Sequence, residues 1–169
     1  MMPAAFYGKL LLALESGLRW LLIMLMAALV MAVSWQVLSR YVLTQPSSWT
    51  EEASRFLLVW LSVLGATYAY RGRMHLAIDL LPRKLGSLGR ARLEVFNAAM
   101  VAIFAMAAMV YGGGYLVMMT WELKQTTPAL GIPMAMIYLV LPVSGVLLTL
   151  FAALRIGEEI QAQTTAQRG

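Results

Sequence analysis

The sequence contains no cysteine, and only one of its 169 residues is a histidine, His75. Without cysteine, the chain cannot form a disulfide, a thiolate metal site or an iron–sulfur cluster, and it has no cysteine nucleophile. One histidine is too few for a zinc site or a bis-histidine haem built by this chain alone. We therefore expect no cofactor, no bound metal and no catalytic residue.

Charge is also scarce. Charged residues make up 12% of the chain and hydrophobic residues 61%, with a mean hydropathy of +0.74, whereas soluble domains contain about 25% charged residues. The net charge of +5 does not indicate nucleic-acid binding, because the basic residues flank long apolar runs, as they do in membrane proteins. The composition predicts an all-α membrane protein and not a soluble enzyme.

Four apolar segments are close to the roughly 20 residues that a helix needs to cross a bilayer. Helices are expected because a spanning segment must satisfy its backbone hydrogen bonds internally. The predicted spans are residues 18–42, 53–70, 95–119 and 132–154. They form one transmembrane domain, 1–157, followed by a polar C-terminal tail, 158–169.

The distribution of basic residues predicts the orientation. If the N-terminus lies inside, only three of the 13 Lys and Arg residues, Arg40, Arg55 and Lys124, fall in outer segments. The positive-inside rule then places both termini in the cytoplasm.

The N-terminal segment has two open interpretations. Apolar residues from Phe6 to Leu18 recur at helical spacing, which predicts either a short interfacial helix or a simple extension of the first span. The segment around Ala32-Val33-Ser34 loosely resembles a signal-peptide cleavage site, but the apolar run continues to Val42, which favours a retained span.

The segment 46–55 contains the densest polar pattern. Ser48 and Glu51 have capping-box spacing and predict the start of the second helix. Arg55 can pair with Glu51 or Glu52, and Trp49 suits the headgroup region. These residues either start the helix and anchor it, or they form a docking surface on the outer face.

A second segment follows at the inner end of the same helix. Gly65 and Ala69 have the small-xxx-small spacing that permits close helix packing. His75 and Asp79 are four residues apart and share a face if the segment is helical. They predict either an interfacial hydrogen bond or a proton relay.

The later spans contain packing signals and little charge. Ala98, Ala102, Ala105 and Gly112 lie near one face of the third span, and Pro142 predicts a kink in the fourth. Apart from Arg55, no charged residue lies deep in a span, whereas transporters usually place polar groups at the midplane. The chain is therefore not equipped to move a substrate alone.

Taken together, these motifs resemble the small membrane subunit of TRAP (tripartite ATP-independent periplasmic) transporters, the DctQ-like family. The resemblance covers Glu15 to Leu154 and includes the stretch Thr127-Pro128-Ala129-Leu130-Gly131-Ile132-Pro133, with Tyr138 and Pro142. The candidate partner-interface or structural residues that carry it are Arg40, Trp49, Glu51, Glu52, Arg55, Trp60, Gly65, Arg71, His75 and Asp79.

The resemblance implies a multi-pass subunit of the bacterial inner membrane. Its partners would be a large multi-span permease, a periplasmic substrate-binding protein and membrane lipids, with no nucleic acid. The system would import organic acids (carboxylates) using a sodium gradient, and the small subunit would enlarge the fixed scaffold. The alternatives are an autonomous small multidrug-type transporter and a membrane anchor subunit of a respiratory enzyme.

Overall fold

The computed structural model describes residues 4–43, 47–72 and 87–166, and most of these residues are helical. The elements in chain order are α1 (Ala4–Tyr41), α2 (Ser48–Arg71), α3 (Ser87–Phe104), a π-helical segment (Ala105–Gly112), α4 (Gly113–Glu122), α5 (Met134–Tyr138) and α6 (Val140–Ala166). Within these ranges the only β pairing is an isolated bridge between Thr126 and Pro133. The predicted all-helical fold is confirmed for this part of the chain.

Three helical stretches of the described residues are long and apolar enough to cross a membrane. They are Leu11–Tyr41, Arg92–Glu122 and Met134–Ile160, and they correspond to the first, third and fourth predicted spans. The second predicted span corresponds to α2, whose 24 residues give a length of about 36 Å. Its serine, threonine and tyrosine residues lower its hydropathy, so membrane crossing by α2 stays a prediction.

The N-terminal segment is continuous with the first span. α1 is a single helix of 38 residues, about 57 Å long at 1.5 Å per residue, whereas the hydrocarbon layer is about 30 Å thick. Of the two interpretations of this segment, the structure therefore has the extension and not a separate interfacial helix.

The helices lie side by side in the order α1, α2, α6 and α3 with the π segment, while α4 packs on α5. α2 runs parallel to α5 and α6, because Trp60 contacts Ile137 of α5 and, further along both segments, Thr67 contacts Ser144 of α6. α1 runs antiparallel to α2. The packed interior includes Leu18, Leu64, Val140, Phe151 and Ala152.

Pro142 and two glycines shape the contact of α6 with the π segment and the start of α4. Helix geometry is interrupted at Leu139, close to Pro142, as expected because a proline lacks the N–H for the preceding turn and clashes with it. The kink itself stays a prediction. A Cβ on Gly113 would lie 2.8 Å from the Leu141 Cβ, and one on Gly145 would lie 2.7 Å from the Met109 Cβ. The two segments therefore approach as closely as glycine allows.

The bundle has two polar ends. The loop end comprises the start of α2, Ser48–Arg55, and the loop 123–133. The terminal end comprises the beginning of α1, the end of α2, the beginning of α3 and the end of α6. α6 continues to Ala166, so most of the predicted polar tail is helical; the regular backbone hydrogen bonding of the helix persists beyond the apolar stretch.

Candidate functional site at the loop end

The start of α2 differs from the predicted capping box. Ser47, not Ser48, is the N-cap, and its side chain makes no capping hydrogen bond to the backbone. Thr50 instead donates to the Ser47 carbonyl at 2.8 Å, and the two hydroxyls share a further hydrogen bond. The capping prediction was wrong because Glu51 is directed away from the cap toward Arg55.

Glu51 and Arg55 form an ion pair on the surface of α2. The Arg55 Nη2 lies 2.5 Å from the Glu51 Oε1, and the two side chains are 73% and 54% exposed. Pairs with this exposure contribute only about 0–1 kcal/mol, because water and salt screen them. The pairing predicted for Arg55 is therefore made with Glu51, and the guanidinium stays open to a partner.

Glu52 binds the loop that follows α4. Its carboxylate accepts the backbone N–H of Ala129, at 3.1 Å from either oxygen, and that of Leu130 at 2.9 Å. Two adjacent amides on one carboxylate form charge-assisted hydrogen bonds, which are stronger than neutral ones. We call this contact the Glu52 clasp. It joins two segments that lie 77 residues apart.

The loop that Glu52 holds has its own internal hydrogen bonds. Thr127 donates its backbone N–H to the Ile132 carbonyl at 2.9 Å, and its hydroxyl accepts from the Ile132 N–H at 3.1 Å. Gly131 has φ of +67°, a left-handed conformation that glycine adopts without strain. The motif 127–133 is therefore a closed turn that presents Ala129 and Leu130 to α2.

The two segments together line an open cavity of about 640 Å³ at the loop end. Its lining residues are Ser48, Trp49, Glu51, Glu52, Arg55, Pro128 and Ala129. The Trp49 side chain is also exposed at this end. The sequence motifs from the second helix and from the later loop thus form one surface.

Trp60 connects α2 to the interruption before α6. Its indole Nε1–H donates to the Ile137 carbonyl at 3.1 Å. Pro142 has no backbone N–H to donate to the carbonyl four residues before it. The Trp60 indole supplies a donor to the neighbouring carbonyl, that of Ile137. Trp60 therefore has a structural role within the chain.

Two buried hydroxyls join α2 and α6 near the middle of the bundle. Thr67 and Ser144 are 1% and 0% exposed, and their oxygens lie 2.5 Å apart. Each hydroxyl also lies 3.2 Å from the Val63 carbonyl. No pattern in the sequence distinguished these two residues, because single hydroxyls in apolar helices are common.

The remaining described candidates lie on open surfaces. A Cβ on Gly65 would meet no atom of the described residues within 4 Å, so the close packing predicted there does not occur inside this part of the chain. Arg40 is exposed, with its guanidinium 5.8 Å from the Tyr41 ring centroid. His75 and Asp79 lie outside the described residues.

Arg71 links three helices at the terminal end. It donates to the Glu15 carboxylate of α1, and its Nη1 lies 3.5 Å from the Glu158 Oε1 of α6. Sequence reasoning selected Arg71 but missed both carboxylates. Their only signal was an acidic residue beside an apolar stretch.

A second ion pair at this end joins α3 to α6. Arg155 and Glu94 lie 3.9 Å apart with side chains 17% and 10% exposed, and the Arg155 guanidinium lies 5.7 Å from the Tyr70 ring centroid. A cation over an aromatic ring is attracted by its π face. Sequence reasoning used Arg155 only to assign orientation, and it did not select Glu94 or Tyr70.

Among the residues that the structure describes, charge is therefore confined to the two ends of the bundle. No charged residue lies in the stretches 20–39, 56–70, 95–121 and 125–154. These stretches offer a cation or an anion only hydroxyls, amides and backbone.

The comparisons with known proteins all indicate the same family. The family model described as "Tripartite ATP-independent periplasmic transporters, DctQ component" matches residues 14–162. A Haemophilus influenzae protein, provisionally named a TRAP transporter small permease protein, is 28% identical over 136 residues, 80% of this chain and 83% of the relative.

Two further relatives have more specific names. The sialic acid TRAP transporter small permease protein SiaQ of Vibrio cholerae is 31% identical over 91 residues, 54% of this chain and 51% of the relative. The isethionate TRAP transporter permease protein DctMQ of Oleidesulfovibrio alaskensis is 30% identical over 129 residues, 70% of this chain and 20% of the relative. Since the family match covers most of its length, the chain belongs to the DctQ family of TRAP transporter components and lies in the inner membrane.

Proposed function

We propose that the chain is the accessory scaffold subunit of a TRAP-type importer of organic acids that is driven by a sodium gradient. Its helices pack on the large permease subunit, and a periplasmic binding protein delivers the substrate. The observation that carries the proposal is that, within the described ranges, charge is confined to the two ends of the bundle, because the helices described there have no charged pathway of their own. The names of two relatives, for sialic acid and isethionate, support an organic acid.

Reconstitution tests the accessory role. The large subunit, the binding protein and this chain would be combined in proteoliposomes with an imposed sodium gradient, and uptake of labelled organic acids would be measured. We expect uptake only with all three components and an inward gradient. Uptake by this chain alone would contradict the proposal, and so would full uptake without it.

The proposal includes α2 as a spanning helix, which brings the number of spans to four, with both termini in the cytoplasm. Its support is that α2 reaches both ends of the bundle: Glu52 contacts the loop end, and Arg71 contacts Glu15 and Glu158 at the terminal end. The chain has no cysteine, so single cysteines can be introduced without background. Glu51→Cys should react with an impermeant maleimide added to the periplasm, and Glu158→Cys should react only after lysis. The reverse pattern would refute this orientation.

We assign the contact with the large subunit to the open face of α2, which includes Arg55 and Gly65. A Cβ on Gly65 meets no described neighbour within 4 Å, so we expect Gly65→Leu to leave the fold of this chain intact. Gly114→Leu is the matched control, because Gly114 is equally open on α4. We expect Gly65→Leu to reduce co-purification with the large subunit and Gly114→Leu to have no effect. Undiminished complex with Gly65→Leu would contradict the assignment.

The loop-end cavity is the proposed contact with the binding protein. Trp49 and the Arg55–Glu51 pair are exposed there, and exposed aromatic and arginine side chains are common anchors of protein interfaces. Trp49→Ala should raise the concentration of binding protein needed for half-maximal uptake. Trp121→Ala, another exposed tryptophan, serves as control. Equal effects would remove Trp49 from the interface.

A further inference from the structure

A small cleft lies between α1 and α2 at the terminal end, apart from the loop-end surface. Its lining residues are Leu12, Glu15, Ser16, Arg19 and Tyr68, and its volume is about 200 Å³. Pockets that enclose drug-sized ligands measure roughly 300–1,000 Å³. The cleft therefore suits a small polar group and not a whole metabolite.

The cleft places one cation beside one anion. Arg19 is exposed and forms no salt bridge among the described residues. Glu15 accepts from Arg71, yet a carboxylate has about four acceptor positions, so it can accept a further donor. The Ser16 and Tyr68 hydroxyls add two more polar groups.

The cleft lies where a membrane surface is expected. Arg19 directly precedes the uninterrupted uncharged stretch 20–39 of α1, and Trp20 beside it is 59% exposed. Tryptophan is enriched at the headgroup level of membranes, and arginine extends its charged group to that level from an apolar helix. The exposed apolar side chains of α1 continue from the cleft into the span.

We propose that this cleft binds the headgroup of a phospholipid that carries both a phosphate and a primary ammonium. Arg19 holds the phosphate, with Ser16 and Tyr68 as hydroxyl donors, and Glu15 accepts hydrogen bonds from the ammonium. A purely anionic headgroup would place negative charge next to Glu15, and a choline headgroup has no N–H to donate. The inference holds whichever end of the bundle faces the cytoplasm, and it does not depend on the transported substrate.

Native mass spectrometry of the detergent-purified chain tests the proposal. Phosphatidylethanolamine, phosphatidylcholine and phosphatidylglycerol with identical acyl chains would be titrated separately. We expect the first bound phosphatidylethanolamine to bind at least about fivefold more tightly than either other lipid. Arg19→Gln should weaken it by about tenfold, the loss expected for one charge-assisted hydrogen bond. Arg40→Gln, an exposed arginine at the opposite end of α1, should leave it unchanged.

Several outcomes would overturn the proposal. Equal affinities for the three lipids would show an unselective lipid layer only. Equal binding by Arg19→Gln and Arg40→Gln would remove Arg19 from the site, and displacement of the lipid by millimolar inorganic phosphate would indicate a site for free phosphate. If Arg19→Gln does not give a helical protein by circular dichroism, Tyr68→Phe replaces it. That variant keeps the ring and should weaken binding about threefold, and unchanged binding would refute the proposal.

Discussion

Replacing Glu52 by glutamine tests the contact that builds the loop-end surface. Glutamine keeps the shape of the side chain but removes the charge and one acceptor oxygen from the clasp on Ala129 and Leu130. Hydrogen bonds to charged groups contribute about 1.5–3 kcal/mol each. Ala129 is exposed and Leu130 is half-buried, so water replaces part of what is lost. We therefore expect the free energy of loop opening to fall by about 1–2 kcal/mol.

Hydrogen–deuterium exchange of the two amides measures this change directly. At 1.4 kcal/mol per factor of ten, their exchange should become roughly 5- to 30-fold faster, while the helices keep their protection. Glu51→Gln is the matched control, because it removes the same charge one residue earlier from a pair that is mostly exposed. We expect less than about a twofold change for that variant, since exposed pairs contribute little. Equal acceleration in the two variants would show that net charge, and not the clasp, holds the loop.

Three further tests address the contacts between helices, with thermal or denaturant unfolding in detergent as the measurement. Gly145→Ala should lower stability by about 1–3 kcal/mol through overpacking, whereas Gly65→Ala should leave it unchanged or raise it by up to about 1 kcal/mol; shifts of the same sign and size would contradict the packing. Thr67→Val and Ser144→Ala should show a coupling of about 0.5–1.5 kcal/mol in a double-mutant cycle, and additive losses would show that the hydroxyls act independently. Arg71→Gln should cost about 1 kcal/mol at low salt and less at high salt; a loss independent of salt would exclude an electrostatic role.

The sequence predicted the helices well, because the thickness of the bilayer sets the length of the apolar segment that a spanning helix needs. It predicted where α2 begins, but it assigned the cap to the wrong serine. Ser47 and Ser48 are adjacent and chemically identical, so spacing to Glu51 alone could not determine which one caps the helix. The hydroxyl of Thr50 makes the difference by bonding back to Ser47. That contact depends on local backbone geometry, which the pattern of residue types does not contain.

Contacts between distant segments were not predicted, although they follow a simple rule. Three contacts have the same sequence separation of 77 residues: Glu52–Ala129, Trp60–Ile137 and Thr67–Ser144. A constant separation is the consequence of two parallel segments packed in register. Glu52 and Trp60 were selected from the sequence, but their partners Ala129 and Ile137 contribute backbone groups, which no pattern of residue types reveals. A search for polar side chains at a constant offset could have found only the Thr67–Ser144 pair.

These contacts also explain how a chain with few polar groups can hold a fixed shape. They occur at intervals of seven to eight residues along α2, or about 11–12 Å, so α2 and the segment that runs from the loop 123–133 through α5 into α6 form a pair joined at three heights. α1 is attached to this pair through Arg71, and the π segment is attached through Gly145. A helix held at a single height could slide or tilt, since lipid gives no directional contact. A partner bound to the open face of α2 would instead contact an element fixed at both ends and in the middle, which is the mechanical property that a scaffold requires.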